Sequence, residues 1–159
     1  MIQDSGNRTV FGTGAQRDIS DGKGRCDLLP LSVVAEVLEP YYYEKVKVLK
    51  LIENFVRSGD ILGLKITLGI NTNQDIITTM LEVSVHYEEG AAKYSERNWE
   101  LGLPVHSFID SAIRHYLKWL RGDDDERHDR AFVWNILGAI WTIENHPELN
   151  EYPIKLEVK

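Results

Sequence analysis

Gly122-Asp123-Asp124-Asp125-Glu126-Arg127-His128-Asp129-Arg130-Ala131-Phe132-Val133-Trp134-Asn135-Ile136-Leu137-Gly138-Ala139-Ile140-Trp141 is the stretch on which the reading of this chain turns. Four consecutive acids, then Arg127, an imidazole and a fifth carboxylate, open into a run that is apolar almost all round. A helix with that pattern is buried rather than half-wetted. Acids at the mouth of a buried helix can hold a divalent cation. All five His (86, 106, 115, 128, 146) and all four Trp (99, 119, 134, 141) lie between Met80 and His146, so the chemistry is expected there.

Upstream of this stretch, Ile109, Ala112, Ile113, Tyr116, Leu117 and Leu120 recur at helical spacing and stop at Gly122. Ser107-Phe108-Ile109-Asp110 has capping-box spacing at the start of that helix. Before it, Thr72 or Asn73 caps a helix running through Tyr94, and Arg97-Asn98-Trp99 with Gly102-Leu103-Pro104 forms a connecting loop. Residues 60–70 are short and apolar and fit either a helical turn or a strand. Val46, Leu49, Ile52 and Val56 mark a helix over 43–57, closed by Ser58-Gly59, whose apolar face is a candidate interface. A first helix opens at Pro30 and Ser32 and ends near Glu39, before Pro40. The last helix starts in the acid cluster and runs to about Glu144. No strand alternation of any length occurs. The class is all-α, a bundle of four to five helices: a flexible N-terminal segment over 1–27, then one helical domain over 28–159.

The 159 residues suffice for one domain with a real core. A net charge of −7 argues against nucleic acid as the main partner, since phosphate backbones need a basic surface. The single Cys26 excludes an internal disulfide and suits a reducing compartment. No apolar run reaches the roughly 20 residues of a membrane span. The expectation is a cytoplasmic protein without a membrane partner.

Three groups of residues carry candidate chemistry. Thr78, Glu82, His86, Glu89 and Lys93 share one face of their helix, and carboxylate, imidazole and carboxylate on successive turns suit a hard metal. Asp125, His128, Asn135 and Thr142 share a face of the last helix, where polar groups in apolar surroundings need partners or a ligand. Two such stripes facing each other would hold Mg²⁺ or Mn²⁺ and neutralise a polyphosphate. Ser111, Arg114, His115 and Lys118 make a cationic face for phosphate oxygens. Lys93, Arg97 and Asn98 add donors, and the Lys23-Gly24-Arg25 loop can reach phosphate.

Met80 to Gly102, with Glu89-Gly90-Ala91-Ala92-Lys93-Tyr94 and Arg97-Asn98-Trp99-Glu100 at its heart, resembles the dATP/dGTP diphosphohydrolase family of bacteria and phages. So do Ile109 to Tyr116, Leu120 to Asn135, and Gly24-Arg25-Cys26-Asp27-Leu28-Leu29-Pro30. The resemblance implies hydrolysis of a purine deoxynucleoside triphosphate, dGTP or dATP, to monophosphate and diphosphate. Phage members of the MazZ kind resemble the MazG-like all-α pyrophosphohydrolases, which implies a MazG-like fold, a Mg²⁺ or Mn²⁺ cofactor, a homo-oligomer and, for a phage protein, the host cytoplasm. MazG-like enzymes pair a Glu-x-x-Glu helix with a later Glu-x-x-Asp and an Asn seven residues on. Here Asp125-x-x-His128 with Asn135 has that spacing in other residue types, and Glu36 and Glu39 have the upstream spacing.

The expected catalytic carboxylates are Glu82, Glu89, Asp125 and Glu126. The expected metal ligands are Glu82, His86, Glu89, Asp125, His128 and Asp129. The expected nucleotide contacts are Arg25, Lys93, Arg97, Asn98, Arg114, His115 and Asn135. Two alternatives compete: an HD-type phosphohydrolase centred on His128-Asp129, and a non-enzymatic helical phage interaction protein whose acids are a solvated patch.

Overall fold

A computed structural model describes residues 6–70 and 75–154. The chain enters through an antiparallel hairpin, β1 Arg8–Val10 against β2 Gln16–Asp18, with Thr9 opposite Arg17. Among the described residues six α-helices follow: α1 Leu31–Tyr42, α2 Lys47–Ser58, α3 Ile61–Ile70, α4 Ile76–Lys93, α5 Val105–Arg121 and α6 His128–Asn145. Short 3-10 turns occupy Cys26–Leu28, Tyr43–Val46, Asn98–Leu101 and Pro147–Leu149. The fold is all-α apart from the three-residue strands, consistent with the MazG-like class expected. The undecided segment 60–70 is helical from Ile61, as α3.

Helix α6 is the centre of the bundle. Its residues Ala131, Phe132, Val133, Ile136, Ala139, Ile140 and Ile143 are buried, and it packs against α5, α4 and α3. The α5–α6 seam is the most extensive. Phe108, Ile109, Ala112, Ile113 and Tyr116 of α5 are wholly buried, each large one contributing roughly 1.5–3 kcal/mol. Gly138 permits the approach, because a Cβ there would lie 2.5 Å from Phe108 Cε1. Helix α2 buries Val48, Leu49, Ile52 and Phe55 in the same core. The apolar face expected to serve as an interface is therefore internal, and exposed apolar side chains lie instead on α1 (Val33, Val37, Tyr41), α3 (Leu62, Ile66) and α4 (Ile77, Leu81).

Several boundaries differ from those read in the sequence. The acid cluster does not start the last helix. Gly122, at φ 88°, closes α5 in a Schellman arrangement, its N–H donating to Trp119 O (3.0 Å) and the Asp123 N–H to Lys118 O (3.0 Å). The left-handed turn throws 123–127 into a loop, and α6 begins at His128. Helix α5 begins after Pro104 rather than at Ser107, and Asp110 spends its carboxylate elsewhere. Pro40 does not stop α1. It sits in the final turn, where its missing N–H costs one bond, and the chain turns instead at Tyr43, φ 22°. The cap expected at Thr72 or Asn73 lies outside the described residues. Within them, Asp75 caps α4, accepting from Thr78 N at 2.9 Å.

The N-terminal segment is held against the helices at several points. Ala15 is fully buried. Asn98 clamps β2 from both sides, accepting from Gln16 N (2.8 Å) and donating to Gln16 O (2.9 Å). Asp110 accepts from the Cys26 amide at 2.6 Å, and Arg114 donates to Gly24 O at 2.7 Å. These bonds lay the hairpin against the 98–101 turn and the 20–27 loop against α5.

Candidate active site

Where the hairpin crosses the helices, a cleft of about 230 Å³ opens. Arg17, Asp18, Ser20 and Lys23 come to it from the N-terminal segment, and His86, Gly90 and Tyr94 from α4. Helix α5 contributes Ser111, Arg114, His115 and Lys118; the loop contributes Asp125 and Glu126, and α6 Trp134 and Asn135. All four residues of the α5 cationic face thus line one wall, because their spacing of three, one and three keeps them on one side of the helix.

At the loop end of the cleft, His115 Nδ1 lies 2.9 Å from His128 Nδ1. Glu126 Oε1 lies 3.3 Å from the first and 3.5 Å from the second. His128 Nε2 lies 2.7 Å from Asp125 Oδ1. A carboxylate there takes the Nε2–H and turns Nδ1 of His128 toward His115 and Glu126. Burial holds the His115 imidazole well below its usual range, with the charges of His128 and Arg17 acting the same way, so His115 is neutral at pH 7. Two sets of ligating atoms converge within 4.8 Å here: His115, Glu126 and His128, and Asp123, Asp125 and His128.

Arg17 brings a further cation into the cleft. Arg17 donates through Nη2 to Asn135 Oδ1, while Asn135 Nδ2 donates to Ala131 O at 2.8 Å. The guanidinium carbon lies 5.3 Å from the Phe108 ring centre and 5.8 Å from that of Trp134. Asp18 is already engaged by Lys93 (2.7 Å), Arg8 (3.1 Å) and the Tyr94 hydroxyl (3.1 Å).

Apart from His86, the other expected site residues lie outside the cleft lining. Glu82 pairs with Arg127 Nη2 at 2.8 Å, and Asp129 with the same nitrogen at 2.7 Å, so Arg127 ties these two carboxylates together outside the cleft lining. His86 lines the cleft, buried beside Trp134 at 5.7 Å between ring centres, but joins neither ligating set. Glu89 is half-buried on α4 and joins neither set. Arg25 is forked onto Asp27 at 2.8 and 2.7 Å, and Arg97 pairs with Glu100. Lys93 is bound to Asp18, and Asn98 is spent on the hairpin backbone. Glu36 and Glu39 are exposed on α1. A larger depression of about 510 Å³ between the Cys26–Leu28 turn, α1 and α2 gathers no ligating set among the described residues, and its Glu53 accepts from the amide and hydroxyl of Ser32.

Sequence reasoning passed over Arg17, Asp18, Tyr94 and Trp134 as site residues. Arg17 and Asp18 stand in a Gly-rich stretch with no periodicity to give them a face, and only the long-range docking of the hairpin brings them in.

A family model described as dATP/dGTP diphosphohydrolase, N-terminal, matches residues 72–152, just over half of the chain and all of α4, α5 and α6. An all-α chain with an imidazole–carboxylate cluster at one end of a cationic cleft is of a form suited to phosphate esters. The chain belongs to the dATP/dGTP diphosphohydrolase family, whose name describes a hydrolase. No curated protein and no solved structure matches it.

Proposed function

We propose that the protein hydrolyses a purine deoxynucleoside triphosphate, dGTP or dATP, to the monophosphate and diphosphate, with a divalent cation held by His115, Glu126 and His128. One observation carries this reading: two imidazoles and a carboxylate converge at one end of a cleft whose wall presents Lys23, Arg114 and Lys118. The donor set fits the cofactor. Two nitrogens with carboxylate oxygens suit Mn²⁺ better than Mg²⁺, which prefers an all-oxygen shell. A divalent cation there supplies Lewis acidity and neutralises phosphate charge.

The side chains do the rest. Asp125 orients His128, and the α5 wall draws the polyphosphate along the cleft. Water attacks the α-phosphorus, the bond from that phosphorus to the bridging oxygen breaks, and diphosphate leaves with that oxygen. The water proton goes to a carboxylate of the 123–126 loop, Asp125 or Glu126. The HD-type alternative is less well supported, because Asp129 points to Arg127 while His128 pairs with Asp125.

Among the described residues no helix is long and apolar enough to cross a membrane. The proposal places the reaction in the cytoplasm, where its substrates are, and assigns the exposed apolar residues of α3 and α4 to contacts in a homo-oligomer.

Chromatography of the products from the eight common nucleoside and deoxynucleoside triphosphates with Mn²⁺ tests the reaction. The expected result is dGMP or dAMP with diphosphate. Deoxynucleoside with tripolyphosphate would instead favour the HD-type reaction. No turnover, together with no rise in melting temperature on adding Mn²⁺ and dGTP, would leave a non-enzymatic protein.

A further inference from the structure

Arg17 is the least satisfied cation in the cleft. Its Nη2 is taken by Asn135, but Nη1 is buried and has no hydrogen-bond partner. A buried guanidinium nitrogen without an acceptor costs free energy unless a ligand supplies one. Protein carboxylates nearby are committed: Asp18 to Lys93, Arg8 and Tyr94, and Asp110 to Arg114 and the Cys26 amide. Three more cations, Lys23, Arg114 and Lys118, line the same cleft, and neither Lys23 nor Lys118 forms an ion pair among the described residues. Burial lowers the Arg17 guanidinium to about 10, which still leaves it charged at neutral pH. The aromatic faces of Phe108 and Trp134 hold its plane, and Asn135 fixes its rotation.

We propose that Arg17 is a phosphate ligand, its buried Nη1 donating to an oxygen of the bound polyphosphate, and that Asn135 is the positioning residue that aims it. This deepens the proposed function and rests on that reading. A polyphosphate fits better than a carboxylate, because four cations in one cleft call for a multiply charged anion. The hairpin thereby becomes part of the site: the strand that carries Arg17 is the one Asn98 pins to the helices.

The test measures binding without turnover. Inorganic tripolyphosphate and deoxyguanosine are titrated separately by calorimetry, without divalent cation, into wild type, Arg17→Met, Arg17→Lys and Asn135→Leu. Melting temperatures of the unliganded proteins are recorded alongside. For tripolyphosphate the expected loss in Arg17→Met is about tenfold or more, the scale of one hydrogen bond to a charged group. Arg17→Lys should recover part of that loss, Asn135→Leu should lose affinity through the misaimed guanidinium, and deoxyguanosine binding should be unchanged in all.

If folded Arg17→Met binds tripolyphosphate as tightly as wild type and only its melting temperature falls, Arg17 is a clip for the hairpin and the proposal is wrong. In that event wild-type hydrolysis of dGTP would still uphold the proposed function. If wild type neither binds tripolyphosphate nor hydrolyses any triphosphate, both readings fall together.

Discussion

Asn135 shows how one side chain can serve both stability and the site. It is 2% exposed, bonded on one side to Ala131 O and on the other to Arg17. Its Oδ1 faces a guanidinium, so under the proposed reading it acts on the phosphate through Arg17. Asn135→Ala should cost about 1–3 kcal/mol by stranding Arg17 Nη2, read as a fall in the denaturation midpoint at unchanged slope. His86 sets a pH limit on the fold. Burial, with Arg130 beside it, lowers its imidazole from 6.5 to about 4. Between those values the unfolded chain takes up a proton that the folded chain refuses. The stability this provides is therefore complete above pH 6.5 and is lost as pH falls toward 4, by roughly 3 kcal/mol in all. His86→Phe should flatten that part of the stability–pH curve, and an unchanged curve would assign the slope to other groups. The carboxylates divide in the same way. Glu126→Gln should weaken Mn²⁺ binding by at least about tenfold, followed by the Mn²⁺ electron paramagnetic resonance signal. Glu82→Gln should leave it unchanged, because the spacing that placed Glu82 on a metal face does not reveal that Arg127 occupies it.

At the scale of elements, the α5–α6 seam depends on Gly138. A methyl group there meets the Phe108 ring at 2.5 Å, and Phe108 also backs Arg17. Gly138→Ala should destabilise by about 1–3 kcal/mol through overpacking, despite the better helix propensity of alanine. A gain in melting temperature would show that the ring can move aside. The helices themselves were legible, because apolar spacing along α5 and the apolar run of α6 report burial directly. Their ends were less so. The Ser107–Asp110 box has the right spacing, yet Asp110 is drawn off by the amides of Cys26 and Asp27, more than eighty residues away in sequence. The hairpin was illegible for a related reason: three-residue strands are too short to show alternation, and their partners are tertiary.

For the molecule as a whole, the site joins parts of very different legibility. The α5 wall of Ser111, Arg114, His115 and Lys118 could be read from spacing on one helix, and His128 with Asp125 from the acid-rich turn. What sequence could not supply was the pairing between elements: that His115 of α5, rather than Glu82 or Glu89 of α4, meets His128, and that a Gly-rich N-terminal segment closes the cleft with Arg17. Both are consequences of packing about α6. The central claim is that this cleft directs water to the α-phosphorus of a deoxynucleoside triphosphate. Hydrolysis of dGTP in ¹⁸O-labelled water with Mn²⁺, followed by mass spectrometry of both products, tests it most directly. The account predicts one labelled oxygen in dGMP and none in diphosphate. Label in diphosphate, or release of deoxyguanosine with labelled tripolyphosphate, would contradict it.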